Sequence, residues 1–517
     1  MNVTFNLAVE PWIPCIDLTG RVQLLNLPDA LCRAHELREI SGDSPPVTVA
    51  IHRLLLAVLH RAYNGPGSAA EWSNAWEEGR WDEACVRRYV EQWQERFDLF
   101  HPTRPFYQGP MDGVATNSVK VLIHDAASGH NGTLFNHHLD SQDITVPAAQ
   151  AARNLLTTQS AGLSGTSSVD ENFTAGPCAS GVLFLVQGSN LFETLSLNWL
   201  RYKNDDPLPR LGEDKPAWEQ DDPFDPAPRL PRGYLDYLTW HNRRVQLIPE
   251  VVDGELVVRR VKVVPGLRMD PGIRDPMKHY NVTKEGGYTA LRFNEARALW
   301  RDSTAILQAG DQGRTVPAVF RWLSVLVDEG YLDAHGERRI VGLGMASDKG
   351  KVEFFREDRF PLPLVYLRAA DRQVLDLLTS AIQAAEKAAK VLWGAQRTAA
   401  RALASPNADT GGTSEPRRED LDQLMAPWGA ERRYWSQLDS RFWELLRALP
   451  AEREAALGLW IEFLRRAAFS AFDGVAESLG STPRELKAYV LGSRQLAAGL
   501  AQELPQPQQS TVTPQTV

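Results

Sequence analysis

Residues 371–403 read DRQVLDLLTSAIQAAEKAAKVLWGAQRTAARAL, and this run decides the fold class. Up to about Leu364 the chain mixes short alternating runs, polar stretches and isolated helical segments; beyond it the pattern turns helical. Further helical segments are expected over 418–448, 451–479 and 483–501, with a polar Gly- and Pro-rich gap at Ser405–Glu415. The last has a clear start: Thr482 as cap, Pro483 at the first helical position and Glu485 to complete a capping box. Four successive helices with short joins suggest an antiparallel four-helix bundle. The expected fold is therefore α+β: a large mixed domain over 1–368, a four-helix bundle over 369–503, and a disordered tail over 504–517, rich in Gln, Pro and Thr.

Working back from that run, Val341–Phe355 reads as a hairpin with Ser347-Asp348-Lys349-Gly350 at its tip. Strands are expected at Val245–Pro249 and Glu255–Val264, joined by the turn signal Asp253-Gly254. Asn204–Gly233, dense in Pro and Asp, reads as a surface excursion. Phe106–Gly181, rich in Gly, Ser, Thr, Asn and His, reads as long polar loop. A Trp-rich helical stretch runs from about Ala70 to Phe100. An amphipathic helix follows Pro45-Pro46 and carries Ile51, Leu54, Leu55, Val58 and Leu59. Val3–Leu27 reads as strands with a turn at Thr19-Gly20.

A length of 517 residues implies two or three domains, and 43% hydrophobic with 23% charged residues is ordinary for a globular chain. The net charge of −9 is unlike that of a free-standing nucleic-acid binder, so any contact with DNA must use local basic patches or partners that supply the positive field. Fifteen Trp provide for a large core and for partner surfaces. Cys15, Cys32, Cys85 and Cys178 form no CxxC pair, which fits a reducing cytoplasm. The start of the chain lacks the pattern of a signal peptide, and apolar runs such as Leu54–Leu59 are far short of a membrane span. A cytoplasmic protein is expected.

Enzyme motifs are missing: there is no GxxxxGK[ST], HExxH or GxGxxG after a strand. Gly162-Leu163-Ser164-Gly165-Thr166 approaches a nucleophile elbow, but its second Gly falls one position early. His124-Asp125, and His137-His138 with Asp140, are the only hints of a metal site, and such dipeptides arise readily by chance. Basic stripes say more. Lys387, Lys390, Arg397 and Arg401 fall within roughly 80° of one another at about 100° per residue, and Arg484, Lys487 and Arg494 repeat the opening of that pattern. Such stripes can follow a phosphate backbone; they are also what an ordinary solvated face looks like. The tip Ser347–Lys351 could enter a DNA groove or be a plain turn. Gly162–Gly165 could let backbone approach a ligand or be a plain loop.

Five segments, in this order, resemble the CasA family, the large subunits of type I-E CRISPR surveillance complexes (Cascade). They are Glu10-Pro11-Trp12-Ile13-Pro14; His101-Pro102-Thr103-Arg104-Pro105-Phe106-Tyr107-Gln108; Leu134-Phe135-Asn136; Tyr237-Leu238-Thr239-Trp240 with Arg243-Arg244-Val245-Gln246-Leu247; and the late hairpin followed by helices. Together they span about residues 3–500. The resemblance implies a non-catalytic subunit that reads the protospacer-adjacent motif (PAM) of double-stranded DNA from the minor groove, helps open the duplex, and docks a helicase–nuclease, while guide pairing supplies sequence specificity. Its implied partners are the other Cascade subunits, the CRISPR RNA, target DNA and that helicase–nuclease.

Residue by residue, the resemblance assigns Phe135 and Asn136 to a loop reaching the RNA handle and the PAM region. Gly162, Leu163, Ser164 and Gly165 fall to a glycine loop at the PAM. Asp348, Lys349 and Gly350 fall to a wedge that splits the first base pair, and one of Arg259, Arg260 or Lys262 to a basic contact with the PAM. The two basic helices would hold flanking DNA. Some relatives carry paired zinc-binding CxxC motifs where this chain has Leu139–Val146 and Trp240–Leu247 without Cys, so no metal or cofactor is expected. Where some have Gln at the wedge, this chain has Lys349, which can press its stem into the stack but does not hydrogen-bond like an amide. The competing readings are a metal-dependent nuclease and a purely structural scaffold.

Overall fold

The computed structural model describes residues 3–124, 144–169, 171–225, 228–295, 297–303, 307, 315–348, 350–368, 372–404 and 416–505. The chain forms two compact units, Met1–Ala369 and Ala370–Val517.

The first unit is organised around the helix Pro45–Tyr63. The amphipathic helix expected here forms, and from Val49 to His60 every residue is buried, on the polar positions as well as the apolar ones. Its buried Arg53 pairs with Asp275 at 3.1 Å, and the Tyr237 hydroxyl donates to the same carboxylate at 2.7 Å. The two charges are thus paired out of water, with Arg53 Nε left without a hydrogen-bond partner among the described residues. Besides the pairing of Tyr280–Val282 with Tyr288–Ala290, the described strands of this unit form three antiparallel sheets. Ile13–Asp17 lies between Val22–Leu25 and Leu37–Ile40. Glu337–Asp348 lies between Lys351–Pro363 and Leu183–Gln187. Glu255–Pro265 pairs with Arg243–Val252, Asn117–Ser118 and Val146–Pro147. The Asp253-Gly254 turn has both residues at positive φ, 53° and 84°, as a tight two-residue hairpin demands.

Phe106–Gly181 is not all loop: it contains the fully packed helix Ala148–Ala161. Its polar side chains hide the helix in the sequence but are absorbed locally. Thr157 Oγ1 donates to the Arg153 carbonyl at 2.8 Å and Ser160 Oγ to that of Leu156 at 3.2 Å. The stretch Ala70–Phe100 also divides, into Ala69–Glu77 and Glu83–Gln92, because Gly79 takes φ 66° and Asp82 caps a new helix.

In the second unit the helices are Arg372–Ala404, Arg418–Met425, Ala430–Ala448, Arg453–Ala476 and Pro483–Glu503. The continuous helix expected over 418–448 is broken at Pro427 and at Gly429, which sits at φ 61°. Tyr434 Oη and Trp460 Nε1 donate to the Ala385 and Ala381 carbonyls at 3.0 and 2.9 Å, which joins two later helices to one face of Arg372–Ala404. The capping box of Thr482 and Glu485 forms as expected. Among the described residues no helix is long and apolar enough to cross a membrane.

Candidate nucleic-acid interface

Gly162 ends the helix Ala148–Ala161, and the chain then runs out and back to Gly176. The base of this excursion is closed by Gly176 N donating to the Gly162 carbonyl at 2.8 Å and Cys178 N to that of Ser160 at 2.7 Å. Halfway out, Gly165 and Phe173 exchange both backbone hydrogen bonds, at 3.2 and 2.8 Å. Leu163 is half-buried, while Ser164 and Gly165 are exposed.

Arg243, the first residue of its strand, supports the excursion from beneath. Its guanidinium donates to the Leu163 carbonyl at 2.5 Å and the Thr174 carbonyl at 2.8 Å, and it lies 4.6 Å from the centre of the Phe173 ring. Gln159 bonds the Arg243 backbone in both directions at 2.8 Å, so the helix end and the strand start form one unit. Arg243 is only 3% exposed, and its guanidinium donates to neutral oxygens of Leu163, Thr174 and Asn242. Burial pushes its pKa down to about 10, still well above neutrality, so it stays charged. Gly162 is required here: a Cβ would lie 3.1 Å from Arg243 Nη2 and 2.6 Å from the Thr158 carbonyl oxygen. The sequence displays Arg243 within one of the resembling segments but gives no sign of this task, because every group it holds lies far away along the chain.

The hairpin of Glu337–Asp348 and Lys351–Pro363 brings its tip to the same place. Gly350 sits at φ 78°, and a Cβ there would lie 2.6 Å from the Ser164 carbonyl oxygen. Two segments singled out separately in the sequence are thus in contact. One extra residue, Glu353, bulges the hairpin near its tip and so sharpens its twist. Asp348 closes the strand opposite Lys351. Lys349 lies outside the described residues, as do Phe135, Asn136, Asp125, His137, His138 and Asp140.

The three basic residues of the neighbouring strand separate. Lys262 Nζ donates to the Met111 carbonyl at 2.5 Å. Arg259, the extra residue of a second bulge, donates to Thr145 Oγ1 at 3.0 Å and faces Glu250 at 3.8 Å. Arg260 is exposed. The basic residue of this sheet that touches the glycine loop is Arg243. His124, a nuclease candidate, meets the Ala161 carbonyl at 3.0 Å. Among the described residues no group of His, Cys, Asp and Glu could hold a metal.

Within the second unit the two basic helices are neighbours. Gly492 lets Pro483–Glu503 come close to the Ala395 carbonyl, where a Cβ would lie at 2.9 Å, and Gly499 faces Val391. Lys387 reaches Glu503 at 3.6 Å and Arg397 lies 5.3 Å from the Trp393 ring centre. Lys390, Arg401, Arg484, Lys487 and Arg494 are on exposed positions.

A profile of the CRISPR-associated protein Cse1 family matches residues 6–471. The CRISPR-associated protein CasA/Cse1 of Thermus thermophilus is 34% identical over 512 residues, covering 95% of this chain and 96% of that one. The crystal structure of Thermus thermophilus CasA superposes with a TM-score of 0.79 at 31% identity, over 97% of this chain and 100% of the other. A chain of a CRISPR RNA-guided surveillance complex in a pre-nicking state does so with a TM-score of 0.66 at 25% identity, over 97% and 100%. These matches run through the loop, the hairpin and most of the C-terminal helices alike: the chain belongs to the CRISPR-associated protein Cse1 family.

Proposed function

We propose that this chain is the large, non-catalytic subunit of an RNA-guided surveillance complex and that it checks the PAM of double-stranded DNA with the surface made by Ser164, Gly165 and the Gly350 hairpin tip. The observation that carries this reading is the packing of Gly350 on the Ser164 carbonyl, which brings a backbone loop and a hairpin tip into one surface. The minor groove offers a degenerate base code, so exposed backbone and small side chains suffice for a permissive check. A tip braced from below can unstack a base step, which costs a few kcal/mol and is offset by new contacts. The buried charge of Arg243 under the loop adds a positive field where phosphates would pass. Arg260 would meet DNA alongside, and Lys387, Lys390, Arg397, Arg401, Arg484, Lys487 and Arg494 would hold flanking duplex. Lys349, Phe135 and Asn136 keep the roles the resemblance assigns, at the wedge and toward the RNA handle. Other subunits, the CRISPR RNA and a recruited helicase–nuclease are the remaining partners, in the cytoplasm. The whole-length match to a chain of such an assembly supports that setting.

The test is binding of target duplex by guide-loaded complex at fixed salt, with and without this chain, using correct and scrambled PAM. Tight binding should need both the chain and the correct PAM. A Lys390→Glu change should weaken binding evenly across PAM sequences and flatten the salt dependence by about one unit. Equal binding with and without the chain would leave only a scaffold role, and chelator-sensitive cleavage by the purified chain would make it a nuclease.

A further inference from the structure

The root of the glycine loop borders a cavity of about 10 Å³ inside the first unit. Its walls include Ala50 and Arg53 of the helix Pro45–Tyr63, Gln159 and Ser160 at the end of the helix Ala148–Ala161, and Pro177. Segments from three distant parts of the chain thus enclose one small space.

Arg53 lines this space as a buried cation, 1% exposed. Two of its three nitrogens are engaged: Nη1 donates to Asp275 at 3.1 Å and Nη2 to the Tyr237 carbonyl at 3.0 Å. Nε has no hydrogen-bond partner among the described residues. An N–H on a charged guanidinium is a strong donor, and leaving one unpaired away from water is unfavourable.

The remaining walls carry acceptors with capacity to spare. Ser160 Oγ donates its proton to the Leu156 carbonyl at 3.2 Å, which leaves its lone pairs open. Gln159 Oε1 takes the Arg243 N–H at 2.8 Å, and the Pro177 carbonyl takes Lys278 Nζ at 2.6 Å. Each of those oxygens has a second lone pair.

Size and polarity together select the occupant. A cavity of this volume holds one water and nothing larger. An apolar lining would keep it dry, whereas an unpaired cationic donor facing several acceptors supplies the two to four partners that a buried water needs. Arg53 repels a metal cation. Chloride is larger than water, and the charge that would attract it is already balanced by Asp275.

We infer that this cavity binds a single water, which accepts from Arg53 Nε and donates to Ser160 Oγ and a second wall oxygen. The water ties the core helix to the root of the loop, because the Ser160 carbonyl also takes the Cys178 N–H at 2.7 Å and Gly162 follows directly after the helix. The inference does not rest on PAM reading.

The test is a high-resolution crystal structure of the full chain, with oxygen-17 relaxation in solution to count long-lived waters. One density peak should stand in the cavity, about 2.7–3.2 Å from Arg53 Nε. Ala50→Val enlarges a side chain in the cavity wall and should displace the water, lowering the count by about one. A cavity without density, a peak out of reach of Nε, an anomalous signal of chloride, or equal counts in the wild-type chain and Ala50→Val would each overturn the inference. Should Ala50→Val fold poorly, the wild-type density decides alone. Neither measurement reads PAM binding, so failure here is separate from failure of the function proposed above.

Discussion

Gly162 and Gly165 stand three positions apart in one loop, and a methyl group added at each meets opposite surroundings. At Gly162 it would press on the Thr158 carbonyl and the Arg243 guanidinium; at Gly165 it would find nothing within 4 Å. Gly162→Ala is therefore expected to destabilise the first unit by about 1–3 kcal/mol, and Gly165→Ala to change stability by less than about 0.5 kcal/mol. Urea unfolding of both variants checks this: only Gly162→Ala should lower the midpoint, with the slope unchanged. Both glycines are visible in the sequence as equals. What ranks them is Arg243, 80 residues further on, whose charge sits under one and not the other. The same distance in sequence explains why Arg259, Arg260 and Lys262 read as equals: the partners of Arg259 and Lys262, Thr145 and Met111, lie 114 and 151 positions away.

At the scale of elements, legibility follows how local the determinants are. The start of Pro483–Glu503 was readable because Thr482, Pro483 and Glu485 act within one turn. The Asp253-Gly254 hairpin was readable for the same reason. The helix Ala148–Ala161 was not, since its Thr, Gln, Ser and Asn are polar in composition and buried only because neighbouring elements cover them. The break at 426–429 was written locally, in Pro427 and Gly429, and was overridden in reading by the helical pattern on either side. Close helix contacts are also non-local. Gly492→Leu should cost about 2–3 kcal/mol, because a Cβ already meets Phe472 at 2.4 Å and the Ala395 carbonyl oxygen at 2.9 Å. Thr482→Ala should cost only about 1 kcal/mol through the lost cap. Denaturation of the C-terminal unit, followed by far-ultraviolet circular dichroism, should rank the two in that order.

For the whole molecule, pH acts through buried imidazoles. Burial pushes the His60 pKa down to about 3, and burial with the nearby Arg229 charge does the same for His241. Both folded values lie below the unfolded value of about 6.5. The unfolded chain therefore takes up protons that the folded chain refuses: stability is complete above pH about 6.5 and falls as pH drops toward 3. Between pH 7 and 5 each group should remove about 2 kcal/mol. Unfolding free energies measured across that range should fall with acid, and His60→Gln should reduce the slope by nearly one proton. An unchanged slope in that variant would mean that His60 is already charged in the folded state.

By itself the sequence determined the α+β class, the turn from mixed structure to helices after about Leu364, the helix cap at Thr482, and the segments that mark the family. Each of these depends on residues that act within a turn or two of one another, or on a pattern summed over a long run. Tertiary structure alone decided that Gly350 rests on Ser164, that Arg243 braces their loop, that Val49–His60 is buried on every side, and that Thr103–Gln108 faces Trp218 and Phe224 across a cleft. Those facts depend on close packing between segments far apart in the chain. Packing is set by shape and by which charges end up out of water, and neither is encoded in any local stretch.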